Sequence, residues 1–191
     1  MKNFFPLKRA SLAALALWVL VPLGAVANTT VTYSDGGKAL FDIEVPDFWN
    51  IRTGGLRDLE GPDSEGIRDI SRVFGMTPEA HDGVWVGMIA PHGVSTLEEA
   101  RAYLQDIGPF LVEDPTVAAP TPRRINGLSA SSLKGKGRRN GKAIDFTVLA
   151  IELPGNRVAI AVVVLEKGAD MTPLGDINAM LSSIKPVAGG R

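Results

Sequence analysis

The stretch INGLSASSLKGKGRRNGKAIDFTVLAIELPGNRVAIAVVVLEK, residues 125–167, decides the fold. Asn140-Gly141 is a two-residue type I′ turn signal, and Gly155-Asn156 reads as a second. Paired residue numbers then sum to 281 across the first hairpin and to 311 across the second. Three-stranded rows follow. One face reads Gly135–Phe146–Leu165, Leu133–Val148–Val163 and Ser131–Ala150–Ala161, with large side chains opposite glycine or alanine. The other reads Lys136–Asp145–Glu166, Lys134–Thr147–Val164, Ser132–Leu149–Val162 and Ala130–Ile151–Ile160. Both faces become apolar away from the Asn140-Gly141 tip. A sheet with one wet face alternates cleanly, so this one is expected to be covered on both sides.

Working outward, Val31 and Tyr33 alternate with threonines before Asp35-Gly36-Gly37, a hairpin turn. Phe41, Ile43 and Val45 alternate with acids, and Pro46-Asp47 turns the chain into a strand at Trp49 and Ile51. Val84 to Ala90 is another strand, closed by Pro91. Residues 54–69 read as a polar, glycine-bearing loop and residues 114–122 as a connecting loop. Two helices are punctuated. Ser95 as N-cap with Glu98 forms a capping box ahead of Leu97, Ala100, Leu104 and Ile107, and Gly108-Pro109 stops that helix. Thr172 as N-cap with Pro173 at the first helical position opens the second, whose stripe is Leu174, Ile177, Leu181 and Ile184. The helices are natural covers for the two faces. The expectation is α+β: a three-layer α/β/α sandwich with a mostly antiparallel sheet. One helical layer plus a dimer interface is the alternative.

Phe41-Asp-Ile-Glu-Val-Pro-Asp-Phe-Trp49 resembles the F-x-I-x-x-P-x-x-W opening hairpin of the PsbP-like superfamily. Ser95-Thr-Leu-Glu-Glu-Ala100, followed by a long meander and a C-terminal helix, is similar to the same pattern. The resemblance covers most of residues 30–185. It implies a compact α/β/α domain used as a non-catalytic binding or assembly module, and it carries over no active-site residue.

The first 27 residues are a different object. Lys2, Lys8 and Arg9 precede the apolar run Leu12 to Leu23, and Ala25-Val26-Ala27 is an A-x-A cleavage signature. We read 1–27 as a secretory signal peptide, an uncleaved anchor being the alternative, and 28–191 as a single globular domain, periplasmic or secreted, with no integral membrane segment. Without the signal, 17 bases face 21 acids, a net charge of −4. Residues 35–114 carry −10 and residues 115–191 carry +6. The absence of cysteine excludes disulfides, thiolate metal sites, thiol catalysis and a lipidated cysteine.

No cofactor and no catalytic residue is indicated. Ser131-Ser-Leu-Lys134 and Ser182-Ser-Ile-Lys185 match S-x-x-K, but the first lies in a strand, the second at a helix end, and S-D-N and K-T-G are absent. Gly135 to Lys142 fails the phosphate-loop spacing and precedes a strand. His81 and His92 occupy loops without metal-ligand spacing. Trp49 and Trp85 continue alternating strands and read as core. Asp58, Glu60, Asp63 and Glu65 form an acidic cluster whose oxygens suit calcium without EF-hand spacing.

Between Arg123 and Lys142 lie seven bases and no acid. Lys134, Lys136, Arg138, Arg139 and Lys142 are the candidate site for an anionic partner, with Lys134, Lys136 and Arg138 on one face, partly offset by Asp145 and Glu166. The partner class is an envelope protein or an anionic surface; net acidity and the lack of interleaved aromatics argue against nucleic acid. The bland reading is that these lysines protect a sheet edge. The function expected is an exported binding or assembly module, with an envelope hydrolase using carboxylates gathered by the fold as the alternative.

Overall fold

The computed structural model of the chain describes residues 27–54, 57–60, 67–70 and 72–187. The signal-peptide reading therefore lies outside the described residues, Ala27 excepted. The elements in order are β1 Asn28–Asp35, β2 Lys38–Pro46, β3 Trp49–Thr53, β4 Arg57–Glu60, β5 Ile67–Ile70, β6 Phe74–Pro78, β7 Val84–Ile89, α1 Leu97–Leu111, β8 Glu113–Val117, β9 Thr121–Ile125, β10 Leu128–Arg139, β11 Lys142–Leu153, β12 Arg157–Glu166, α2 Leu174–Ser183 and β13 Lys185–Pro186.

The large sheet runs β3-β6-β7-β12-β11-β10-β8, with β9 also paired to β10, and every pairing described is antiparallel. The first hairpin has the expected register, Ala130 opposite Ile151 through to Arg139 opposite Lys142. Asn140 and Gly141 both take positive φ, +51° and +76°, as a type I′ turn requires. The second hairpin is displaced by one residue. Leu153 pairs with Arg157, so Pro154, Gly155 and Asn156 form a three-residue loop and partner numbers sum to 310. Proline brings no N–H to a ladder and a fixed φ to a turn, so Pro154 joins the loop instead of extending the strand. A one-residue shift exchanges the faces of a strand. The true rows are Gly135–Phe146–Val164, Leu133–Val148–Val162 and Ser131–Ala150–Ile160 on one face.

Both faces are covered. Beneath α1, Ile144, Phe146, Val148, Ala150, Val158, Ile160 and Val164 form one core with Ala100. On the other face, the small sheet β1-β2-β13 lies with α2, which packs on β2. There Phe41, Ile43 and Val45 meet Ile177, Met180 and Ile184 from the helix end and Met76, Met88 and Ile151 from the large sheet. The opening hairpin is thus itself part of one cover. Tyr33 stacks on Phe41 at 5.0 Å within it.

Four local expectations are corrected. The box on α1 is Thr96 with Glu99: Glu99 N donates to Thr96 Oγ1 at 3.1 Å, while Glu99 Oε2 accepts from the amides of Thr96 and Ser95. Ser95-Glu98 is one residue early. Pro109 sits inside α1, which continues to Leu111 and closes with Val112 N–H on Gly108 O; so late in a helix, proline forfeits one bond without ending it. The second helix starts at Leu174 after Pro173, and Thr172 bonds to Asp170 instead of capping it. Neither expected loop is structureless. Residues 54–69 contain the paired strands β4 and β5, and residues 114–122 supply most of β8 and the start of β9.

Candidate functional site

Helix α1 is lightly seated. Of its residues, Ala100 and Ile107 are buried, while Leu97, Tyr103, Leu104 and Leu111 are partly exposed. Between the helix and the sheet runs an apolar groove of about 550 Å³, with an adjoining space of about 300 Å³ sharing Arg101, Leu104, Pro120, Leu133 and Val148. The floor is Leu133, Phe146, Val148 and Val162, the roof is Leu104, Gly108, Pro109 and Leu111, and the outer wall is Pro115 with Val117 to Pro120. Both spaces fall in the range of small-molecule pockets, about 300–1,000 Å³. On this face of the sheet two aromatic rings lie across glycines. The Phe146 ring lies flat across Gly135, and the Trp85 indole lies across Gly87 and against Gly75.

Charge is sparse here. Among the described residues, Glu98, beside the smaller space, is the one carboxylate of the groove walls, no histidine lines either space, and Ser131 is the one hydroxyl. Arg101, exposed on the rim of both, makes no ion pair among the described residues. The surface is mainly apolar, with one guanidinium at its rim.

The basic hairpin is divided between the two faces. Lys134, Lys136 and Arg138 share the face away from α1, as expected. Lys136 Nζ is 3.6 Å from Asp145, and the Arg138 guanidinium donates to Gly141 O. Arg139 and Lys142 point to the α1 side. Arg139 stacks on Trp85, 5.0 Å from the ring centre, and Lys142 Nζ bonds Glu166 at 2.6 Å. That bond with Glu166 raises the Lys142 pKa. Glu166 therefore offsets Lys142, not the Lys134–Lys136 face, which corrects the expected row. Strand β10 is also not an edge: β8 and β9 cover its outer side. The edge itself is guarded by Pro115 and Pro122, which deny ladder donors, so protection of an edge is not what these lysines do.

A polar cluster that sequence reasoning missed lies at the opposite end of the hairpin. Arg157 Nη2 donates to Asp35 Oδ2 at 2.9 Å and to Ala90 O at 2.8 Å, and His92 Nδ1 stands 3.6 Å from the same carboxylate oxygen. The Arg157 hydrogen bond holds the Asp35 carboxyl below the ordinary value. Burial raises the phenol pKa of both Tyr33, which donates to Arg72 O, and Tyr103. Asp35, Ala90 and Arg157 are far apart in sequence, so no spacing signals them. The histidines face separate acids, His81 at 2.9 Å from Asp170 and His92 beside Asp35. Trp49 is buried as expected, while Trp85 is half-buried. Of the acidic cluster, Asp58 and Glu60 fall on β4 opposite Asp69 and Ile67, and Asp63 and Glu65 lie outside the described residues. Among the described residues no group of three or more ligating side chains could hold a metal, and no helix is long and apolar enough to cross a membrane.

No protein-family model matches the chain, and no curated protein matches it by sequence. Solved structures similar to it include cyanobacterial PsbP (CyanoP) of Synechocystis sp. PCC 6803, 13% identical, with a TM-score of 0.48 over 87% of this chain and 96% of that one. LpqN of Mycobacterium tuberculosis, described as involved in cell envelope biogenesis, is 17% identical, with a TM-score of 0.46 over 84% and 91%. PA94 of Pseudomonas aeruginosa, a protein of unknown function, is 16% identical, with a TM-score of 0.37 over 71% and 82%. The α+β architecture rests on the strand pairings themselves.

Proposed function

We propose that this chain is an exported, non-catalytic binding module of the cell envelope that holds the aliphatic chain of an anionic amphiphile beneath α1. Export is read from the basic, apolar and A-x-A pattern of residues 1–27. The observation that carries the binding reading is the groove of about 550 Å³, walled by aliphatic side chains with Arg101 at its rim. A hydrolase would need converging acids and bases in its cleft; this groove offers mainly leucine, valine, alanine and proline.

The test is a chain-length series of alkanoates displacing an environment-sensitive apolar fluorophore. Burial of one methylene contributes about 0.8 kcal/mol, so affinity should rise about fourfold per carbon until the groove is full. Leu133→Trp should plug the floor and abolish saturable binding while the far-ultraviolet spectrum is retained. Arg101→Gln should weaken alkanoates and leave the matching alcohols unchanged. Affinity that does not vary with chain length would sink the proposal.

A second reading, in which the basic hairpin docks an anionic partner, is favoured by the position of β10 inside the sheet. Arg139 and Lys142 are engaged by Trp85 and Glu166, which narrows that surface to Lys134, Lys136 and Arg138 with Arg123 beside them.

A further inference from the structure

The outer edge of the large sheet carries an apolar bend beside a basic face. Strands β8 and β9 lie end to end along β10, joined through residues 118–120, with Ala118 N donating to Lys134 O at 2.8 Å. Every residue from Glu113 through Arg124 is exposed. At the bend the exposed residues are apolar: Val117, which is 51% exposed, then Ala118, Ala119 and Pro120. Beside the bend lies a basic face. Arg123 stands opposite Ala130, and Lys134, Lys136 and Arg138 follow at alternate positions on that side of β10. Strand geometry spreads the last three over about 13 Å. Arg123, Lys134 and Arg138 make no ion pair among the described residues, and Lys136 has the exposed Asp145 at 3.6 Å.

We propose that this edge docks the protein on an anionic bilayer, the 117–120 bend entering the interface and Arg123, Lys134, Lys136 and Arg138 meeting the headgroups. An apolar element flanked by a basic patch is the two-signal arrangement that reversible interfacial binding needs. A protein strand adding to the same edge is disfavoured, because Pro115, Pro120 and Pro122 remove the donors that such a strand would use. The net negative charge of the chain does not oppose docking. Fields are screened over about 10 Å, so of the acids of residues 35–114 those that count are Glu113, opposite Arg138, and Asp114 beside it on β8, against four bases. The same bend walls the groove beneath α1, which places the groove mouth where an amphiphile would leave the membrane. Docking stands on the charge and apolarity of the edge, and holds whether or not the groove takes a chain.

The test is vesicle flotation of the exported protein, its N-terminus first established by mass spectrometry. Vesicles of phosphatidylcholine alone are compared with vesicles of phosphatidylcholine mixed with phosphatidylglycerol. Binding is expected to the mixed vesicles, to fall with added salt, and to drop about fivefold for each of the four bases changed to glutamine. Val117→Asp should weaken it as well, while Lys38→Glu, at the β1–β2 turn, should not. Unchanged near-ultraviolet spectra exclude misfolding of the variants. Absence of flotation, equal binding to both vesicle types, or indifference to the four substitutions overturns the proposal. Capture by an immobilised acidic protein in place of vesicles overturns it too.

Discussion

Gly135→Ala tests the seating of the groove floor. A Cβ built on Gly135 stands 2.7 and 2.8 Å from Phe146 Cε2 and Cε1, against the 3.4–4 Å of ordinary contact. The ring is buried between this glycine and the groove it lines, so its escape is upward into that groove. Adding one methyl group to a packed site of this kind destabilises by about 1–3 kcal/mol. In a chain of this size each kcal/mol lowers Tm by about 2–4 °C, so a fall of about 2–12 °C is expected by scanning calorimetry. Displaced into the groove, the ring should also weaken the longest alkanoates more than the shortest. The double variant Gly135→Ala with Phe146→Leu separates packing from backbone effects, since the penalty should largely vanish once the ring is gone. An unchanged Tm, or an equal penalty in the Phe146→Leu background, would refute the claim that this glycine exists to seat the ring.

Thr96→Ala and Glu99→Ala should each lower stability by about 1 kcal/mol in urea denaturation, while Ser95→Ala and Glu98→Ala should do nothing measurable; the reverse pattern would restore the box one residue earlier. Asp35→Asn should destabilise by about 1 kcal/mol at neutral pH, a figure already reduced for the partial exposure of Asp35 and for screening. The folded-state pKa of Asp35 lies below the ordinary 3.8, so the unfolded chain binds more protons between the two values and stability rises with pH there. The contribution is fully present above 3.8 and lost as pH falls through the lower folded value, so wild type and Asp35→Asn should converge in acid; a gap that persists in acid would assign the effect to shape.

How much was legible depends on whether the signal was local. Asn140-Gly141 names its turn, and with it the register of β10 on β11, because both central residues must take positive φ. The Asp35-Gly36-Gly37 turn and the hairpin it closes are equally local. Strand β6, not among the elements expected from the sequence, carries a local signal too: Phe74, Met76 and Pro78 alternate as buried residues with Gly75 and Thr77 between them. The capping box on α1 was ambiguous, since Ser95-Glu98 and Thr96-Glu99 satisfy the same pattern and only the helix phase chooses. The proline-rich 114–122 stretch looks like a loop because proline is rare in strands, yet an edge strand tolerates it on its unpaired side. The Asp35–Arg157–Ala90 contacts and the groove have no local signature, because their parts meet only once the hairpins and α1 are placed.

The second hairpin shows why the site was harder to read than the fold. Valine, alanine, isoleucine and leucine fill both alternations of β12, so hydrophobic pattern cannot choose between registers. The choice falls to Pro154, and its consequences reach the far end of the strand. In the observed register Val158, Ile160, Val162 and Val164 lie under α1, and Val162 becomes groove floor. In the other register Ala161 and Val163 would take their place, and the floor would be differently filled. The same shift moves Glu166. It pairs with Lys142 beneath Trp85 and Arg139, instead of joining Asp145 against Lys136. One residue of loop length thus sets both the floor of the apolar groove and how far the charge of the opposite face is compensated. The two candidate surfaces are not independent features of composition. They are the two sides of one register, and the edge formed by β8 and β9 is where they meet.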